Sequence, residues 1–373
     1  MRFGTLFSGG EGVGVGLTAA GLTHLWGVEY DADIAAVAQR NGFNVHVADV
    51  RAVDYAALPR VDWLHASPVC TRASVANSGA TESEEDIEAA AAVVRALKAQ
   101  QPAVFTLENV WQYRTFQAFR DICGELGGQG YFWTYDHVNA ADFGVPQTRR
   151  RLILRASRGL LPLLPEPAPW VGWYEAIADL LPTLPESKLA PWQLARLPQE
   201  LKSSLLVTNG KNAPGREDVA ARWFWQEESA GTVTTQALGR TRAVLVQTQN
   251  AIRNATVLER DVPATAQTGA MPSRPSHQLA VLIDTGNTSR DATVIDAAEC
   301  AMTEQSWHGR RPSQAPLCAV GARVVSMTPR ALARFQSVPD WYELPDKRTL
   351  AARVIGNMVP PLVMQRIAEG LLA

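Results

Sequence analysis

Short apolar runs alternate with amphipathic stretches through roughly the first 155 residues. Residues 3–7, Phe-Gly-Thr-Leu-Phe, read as a buried strand. A glycine-rich turn, Ser8-Gly9-Gly10-Glu11-Gly12-Val13-Gly14-Val15-Gly16-Leu17, runs into a helix that ends near Gly21. Leu25–Val28 predicts a second strand closed by Glu29, Asp31–Asn41 a helix, and Val45–Val50 a third strand containing Asp49. Two more buried strands follow, Val61–Ala66 and Ala103–Leu107, separated by a polar loop over 71–86 and a helix through Leu97. The acidic run Glu82–Glu88 reads as the first turn of that helix rather than a metal site. Leu152–Leu154 is a further strand. This alternation predicts a doubly wound α/β sheet.

The pattern changes near residue 159. Prolines at 162, 165, 167, 169, 182, 185 and 191 break the next stretch, and Trp170, Trp173, Trp192, Trp223 and Trp225 sit in or near it. From Val324 the chain is regular again. Thr328-Pro329 caps a helix over Arg330–Gln336, and a second helix runs from Pro360-Pro361 to Leu372, after a tight loop holding Gly356 and Asn357. The expected organisation is one domain from 1–158 plus 324–373, and a smaller, irregular, mostly-β domain over 159–323.

The middle module contains an internal repeat. Asn250–Val257 and Asn287–Val294 both read N-x-x-R-x-A-T-V, 37 residues apart. Each follows an apolar strand, Ala243–Val246 or Leu279–Ile283, and each strand follows a threonine-rich turn with basic residues, Arg240 and Arg242 in the first copy. A degenerate third copy ends in Leu317–Val320. Thr, Gln and Arg on such loops suit phosphates and base edges. The plainer alternative is a β-ribbon with solvated loops.

Composition narrows the class. No apolar run approaches the roughly 18 residues of a membrane span, and the N-terminus carries no secretory pattern. Four cysteines without C-x-x-C spacing point to a reduced, intracellular protein without a structural zinc. The net charge of −2 does not announce a nucleic-acid binder. The chain nevertheless has five lysines against thirty arginines. That bias suits bidentate contacts to phosphate and guanine, and also follows from GC-rich coding.

Candidate chemistry gathers where the strands end. Ser67-Pro68-Val69-Cys70 is a proline-stiffened turn that presents Cys70 to a cleft, unless Cys70 is an ordinary buried thiol. Glu108-Asn109-Val110 closes the next strand, so a carboxylate and a thiol converge on one sheet edge. Arg149 and Arg151 alternate in an extended segment and share a face. Glu29 stands where such folds hold a ribose hydroxyl, and Asp49 suits an adenine amino group. The G-x-G-x-x-G dinucleotide pattern is not met at the glycine turn, which disfavours a nicotinamide cofactor.

Together these stretches resemble the cytosine-C5 DNA methyltransferases. The matches are Leu6-Phe7-Ser8-Gly9 through Gly16-Leu17, Glu29, Asp49, Pro68-Val69-Cys70, Glu108-Asn109-Val110, Gln147-x-Arg149-x-Arg151, Thr328-Pro329-Arg330 with Arg334-Phe335-Gln336 and Pro339-Asp340, and Gly356-Asn357-x-Val359. They cover residues 3–155 and 324–372 and stand in family order. The middle module falls where the family places its target-recognition domain.

The resemblance implies a Rossmann-like methyltransferase sheet, S-adenosylmethionine as methyl donor and S-adenosylhomocysteine as product. It places Phe7, Ser8, Gly9, Gly10, Gly12, Glu29, Asp49, Pro68, Asn357 and Val359 at the donor site, with Tyr30 and Val50 beside the adenine. It makes Cys70 the nucleophile, Glu108 the partner of cytosine N3, and Arg149 and Arg151 the pocket arginines. Ser74 matches a phosphate-contacting serine. Double-stranded DNA is the implied partner, with a monomer acting in a bacterial or phage-infected cytoplasm, beside a separate restriction endonuclease where one exists. An RNA cytosine methyltransferase and a non-catalytic DNA-binding relic are the alternatives. Two departures stand out: Ser67-Pro68-Val69 in place of Pro-Pro, and Met358 in place of the small residue after Asn357, near the donor pocket by analogy.

Overall fold

The computed structural model describes residues 1–68, 82–187, 228–230 and 324–372 in full, and between 200 and 326 also the backbone of nine short strands. The chain folds into two compact units. The first is Met1–Ala176, Glu228–Leu238 and Pro329–Ala373, and the second is Ile177–Glu227 and Gly239–Thr328.

The first unit is built on a seven-stranded sheet. Its strands are β1 (Arg2–Leu6), β2 (Thr23–Glu29), β3 (Val45–Val47), β4 (Trp63–Ala66), β5 (Val104–Asn109), β6 (Phe132–Asn139) and β7 (Arg150–Ser157), in the order β3-β2-β1-β4-β5-β7-β6. The first five pair in parallel, and β7 lies antiparallel to β5 and β6. Helices α1 (Gly12–Ala19), α2 (Ala32–Arg40), α3 (Glu84–Gln100) and α4 (Gln117–Gly128) connect or flank the strands. After the second unit come α5 (Pro329–Phe335), α6 (Arg348–Asn357) and α7 (Pro361–Leu372).

Burial on both faces explains the near-continuous apolar strands. Leu6, Leu64, Phe105, Leu107, Leu152 and Leu154 point to one face, where Val93 and Leu97 of α3 and Phe119 and Ile122 of α4 cover them. Phe3, Trp63, Val104 and Ile153 point the other way, against Val13 and Leu17 of α1 and Val363, Met364 and Ile367 of α7. Local signals place the helix starts. Asp31 accepts from the backbone N–H groups of Asp33 and Ile34, and Ser83 and Asp86 form a reciprocal capping box at α3.

The structure departs from the sequence pattern in several places. Strand β6 and helices α4 and α6 add to the elements expected from the sequence, α4 burying Ala118, Phe119, Ile122, Cys123 and Leu126 along one face. The segment Val354–Asn357, expected to be a loop, is the last turn of α6. Glu108 lies within β5 rather than after it, and β3 stops at Val47. The first compact unit runs on to Ala176, resumes at Pro329 and includes residues 228–238. Backbone bonds tie that segment in: Ala230 N–H to Pro146 O (2.9 Å), Thr148 N–H to Ala230 O (2.8 Å), and Trp173 N–H to Glu228 O (2.8 Å).

The second unit holds antiparallel strands: β8 (Glu200–Leu201), β9 (Leu205–Asn209), β10 (Ala221–Trp225), β11 (Thr241–Val246), β12 (Ala255–Leu258), β13 (Ala280–Thr285), β14 (Ala292–Asp296), β15 (Leu317–Val320) and β16 (Ala322–Ser326). They form a sheet ordered β10-β9-β11-β16 and another ordered β14-β13-β15-β12-β8. Both A-T-V segments of the repeat are strands, β12 and β14. Their pairing differs. β14 forms a hairpin with the strand preceding it, whereas β12 pairs with β15 and β8, in a different sheet from β11. The sequence repeat is therefore not a repeat of strand pairing.

Candidate active site

The site follows from the strand order. β1 has β2 on one side and β4 on the other, and at such a reversal the connections leave a crevice beyond the carboxyl ends of the strands. Because β7 runs antiparallel, its first residues reach the same edge. A cavity of about 730 Å³ occupies it. Along its wall, in strand order, lie Asp49 beyond β3, Glu29 at the end of β2, Phe7, Gly9 and Gly10 after β1, Ser67-Pro68 after β4, Glu108-Asn109 on β5, and Arg149 and Arg151 at β7.

The β1–β3 end of the cavity gathers two carboxylates and bare backbone. Glu29 accepts from Gly9 N–H (2.8 Å) and Asp31 N–H (2.9 Å), which holds the carboxylate over the turn. Gly9 has φ +55, and a Cβ there would project into open space, so its backbone is bare toward the cleft. Val50 is buried, with its carbonyl held by the Tyr55 hydroxyl (2.6 Å), whereas Tyr30 is 75% exposed at the rim. Asp49 lines the cavity, but Arg51 bonds both of its oxygens (2.6–3.0 Å) and also Glu88 (2.5 Å). These hydrogen bonds hold the Asp49 carboxyl below the usual carboxylate range.

Not every expected donor-site residue reaches this cavity. Asn357 and Gly356 do. Ser8, Gly12 and Val359 do not line it: the Ser8 hydroxyl is buried, and Val359 packs among the apolar side chains of the α1–α7 face. Met358 is not a cleft residue either. It is 2% exposed and fills the space behind Gly12, where a Cβ would come within 2.2 Å of Met358 Cγ and of the Val359 carbonyl. The small side of the turn and the large methionine are thus complementary.

At the other end, Glu108 is 8% exposed and its Oε1 lies 3.0 Å from Arg151 Nε. Oε1 makes no directed hydrogen bond, so the contact is a close ion pair. Arg149 is buried and donates to Gly356 O (3.2 Å), with its own backbone N–H bound to Asn139 Oδ1 (3.1 Å). Burial pushes the Arg149 guanidinium down to about 9; Arg151 adds to the shift and Glu108 opposes it, and the group stays charged at neutral pH. Gln147 bridges distant segments, donating to Phe335 O (3.2 Å) and Gln336 Oε1 (2.9 Å), while Gln336 donates to Ile355 O (2.5 Å). Asn109 donates to Pro68 O (3.0 Å), tying β5 to the turn that precedes Cys70.

Two polar groups escaped the sequence reading. Glu11 is fully buried at φ +59, receives the Thr5 hydroxyl (2.5 Å) and lies 3.3 Å from His24 Nε2. An acid inside a glycine and aliphatic run was the available signal. His65 is also buried, between Thr106 Oγ1 and Ser67 Oγ (both 2.8 Å), and burial pushes its imidazole down to about 3. Alternation in β4 could place it opposite Leu64, but only the β4–β5 register brings it to Thr106.

Cys70, Ser74 and Arg240 lie outside the described residues, and for Arg242 only the backbone on β11 is described. Among the described residues no group of three His, Cys, Asp or Glu side chains is placed to hold a metal, and no helix is long and apolar enough to cross a membrane.

Residues 1–373 match the family described as C-5 cytosine-specific DNA methylase. Type II methyltransferase M.NgoBI of Neisseria gonorrhoeae is 29% identical over 180 residues, covering 47% of this chain and 56% of that protein. Type II methyltransferase M.Bsp6I of Bacillus sp. (strain RFL6) is 30% identical over 167 residues, covering 43% and 53%. M.HaeII of Haemophilus aegyptius is 27% identical over 233 residues, covering 61% and 69%. The chain spans about half the length of the first two of these relatives. Among solved structures, a mutant of Spodoptera frugiperda DNMT2 superposes with a TM-score of 0.56 at 12% identity, covering 100% of this chain and 99% of that one. Entamoeba histolytica methyltransferase EhMeth gives 0.56 at 11%, covering 100% and 98%. At such identities the likeness shows the fold.

Proposed function

The chain belongs to the C-5 cytosine-specific DNA methylase family, and from that premise we propose that it methylates C5 of a cytosine in double-stranded DNA. The observation that carries this reading is the convergence of Glu108, paired with Arg151, and the Asn109-anchored Pro68 turn on the edge that also holds Glu29 and the bare Gly9 backbone. One cavity is lined by both sets. Its volume is in the range of pockets that hold cofactor-sized ligands.

The residues fit S-adenosylmethionine: a carboxylate for ribose hydroxyls at Glu29, a second at Asp49, an apolar neighbour in Val50, and Asn357 in the same lining. When bound, the donor supplies an electrophilic methyl group on a sulfonium. The chain's own work is to activate the base. Cytosine C5 is a weak nucleophile until the Cys70 thiolate adds to C6 and makes C5 enamine-like. Glu108 engages N3 through a proton held between the two, which stabilises the charge that addition puts on the ring. Arg151, already against Glu108, reaches O2 and offsets the same charge. Arg149 holds the wall by its bond to Gly356 O. A base or water takes the C5 proton as the C6–S bond breaks and releases the Cys70 thiolate, which completes turnover. Inside a duplex N3 is paired and the ring faces that the thiolate and the methyl group must approach are stacked, so the base must be flipped out.

Arg240, Arg242 and Ser74 are the proposed DNA contacts, and the second compact unit the proposed target reader. Bacterial relatives support a cytoplasmic protein, with any partner endonuclease acting separately. The test is base-resolution sequencing of DNA from cells expressing wild type, Cys70→Ala or Glu108→Gln. The expected result is one modified short motif, lost in both variants. A mark that survives Cys70→Ala would sink the covalent mechanism, and labelled-methyl transfer to RNA alone would move the substrate to RNA.

A further inference from the structure

Ser67 opens the Ser67-Pro68-Val69 stretch and lies at the middle of the cleft. We infer that Ser67 is a positioning residue whose hydroxyl proton is directed at the carboxylate of the donor's amino-acid portion by a buried, one-way chain of hydrogen bonds starting at Trp63. The inference rests on the reading of the cleft as a S-adenosylmethionine site.

The direction of the chain follows from what each group can do. An indole N–H only donates. Trp63 Nε1 lies 3.0 Å from Thr106 Oγ1, and both residues are fully buried. Among the described residues, Thr106 Oγ1 has one other hydrogen-bond neighbour, His65 Nδ1 at 2.8 Å. The threonine proton therefore goes to Nδ1, because a buried hydroxyl left without an acceptor is costly. Burial keeps the imidazole neutral. With Nδ1 accepting, its single proton sits on Nε2, which donates to Ser67 Oγ at 2.8 Å. Ser67 has no other side-chain partner among the described residues, and it lines the cavity. Its hydroxyl accepts from behind and donates forward.

The order of strands says what lies in front. Neighbouring strands are about 4.8 Å apart. Glu29 and Asp49, on β2 and beyond β3, serve the nucleoside end, and Glu108 and Arg151, on β5 and β7, serve the target base. Ser67 follows β4, beside the Phe7–Gly10 turn of β1, between the two. The part of the donor that spans this middle carries the amino acid, and the acceptor there is its carboxylate. A hydroxyl donating to an ionised oxygen belongs to the stronger class of hydrogen bonds.

The experiment is calorimetry on the full chain with S-adenosylhomocysteine and with 5′-methylthioadenosine, which keeps the nucleoside and thioether but lacks the amino acid. Ser67→Ala is expected to weaken S-adenosylhomocysteine about tenfold and leave methylthioadenosine unchanged. Thr106→Val, which removes the group that sets the His65 tautomer without touching the cleft, is expected to reproduce that selective loss, and Thr106→Ser to restore wild-type affinity. Unchanged S-adenosylhomocysteine affinity in Ser67→Ala overturns the inference, as does an equal loss for both ligands. If wild type binds neither ligand, the premise of a donor site falls with it.

Discussion

The ion pair between Glu108 and Arg151 sets the chemistry of single residues. A carboxylate that is 8% exposed needs a partner, and Arg151 supplies it at 3.0 Å. In the proposed reaction the same arginine also stands where charge grows on the flipped base, which would give it two roles. Arg151→Ala is expected to lower the rate of methyl transfer roughly 10²-fold, with S-adenosylhomocysteine affinity unchanged and partial recovery in Arg151→Lys. Single-turnover transfer and calorimetry check this; an unchanged rate would leave Arg151 as a structural partner only. Sequence spacing alone put Arg149 and Arg151 on one face, yet their duties differ. Arg149 is anchored to Gly356 O, and Arg151 meets the carboxylate.

At the scale of elements, the site depends on how strand ends and helix starts are held. The turn before Cys70 is fastened by Asn109 on β5, and Ser83 caps the start of α3. There the Ser83–Asp86 capping box satisfies two otherwise unpaired N–H groups, and Glu82 accepts from Gln117 and Ala118 N–H (3.1 and 2.7 Å) at the start of α4. Ser83→Ala is expected to cost about 1 kcal/mol of stability, read as a lower urea midpoint without a change of slope. The acidic run Glu82–Glu88 announced this helix start, because carboxylates favour the positive end of a helix dipole. Strand β6 announced nothing. Its exposures alternate imperfectly, Phe132, Trp133 and Tyr135 remaining open, so no clean period of two reached the sequence.

For the whole molecule, the two compact units divide labour in the proposed function. All the described residues that line the cavity belong to the first; the second is a set of antiparallel strands with arginine-bearing segments. The proposed division predicts that Arg240→Ala with Arg242→Ala relaxes or weakens target choice while S-adenosylhomocysteine affinity stays at the wild-type value. An unchanged methylation pattern in the double variant would remove these two residues from target reading.

The sequence by itself determined the α/β alternation, the family, and the types of residue at the strand ends, because those signals are local: apolar runs, a glycine turn, prolines and short motifs. It did not determine which of those residues touch. Gln147 meets Gln336, Arg149 meets Gly356 and Tyr342 donates to Gly10 O (2.6 Å) across 189, 207 and 332 residues of chain. Nor did it decide that Met358 fills the back of the Gly12 turn, or that Trp63, Thr106, His65 and Ser67 form one line. Those outcomes require strand register and helix packing, which bring together side chains that no periodicity along the chain can pair.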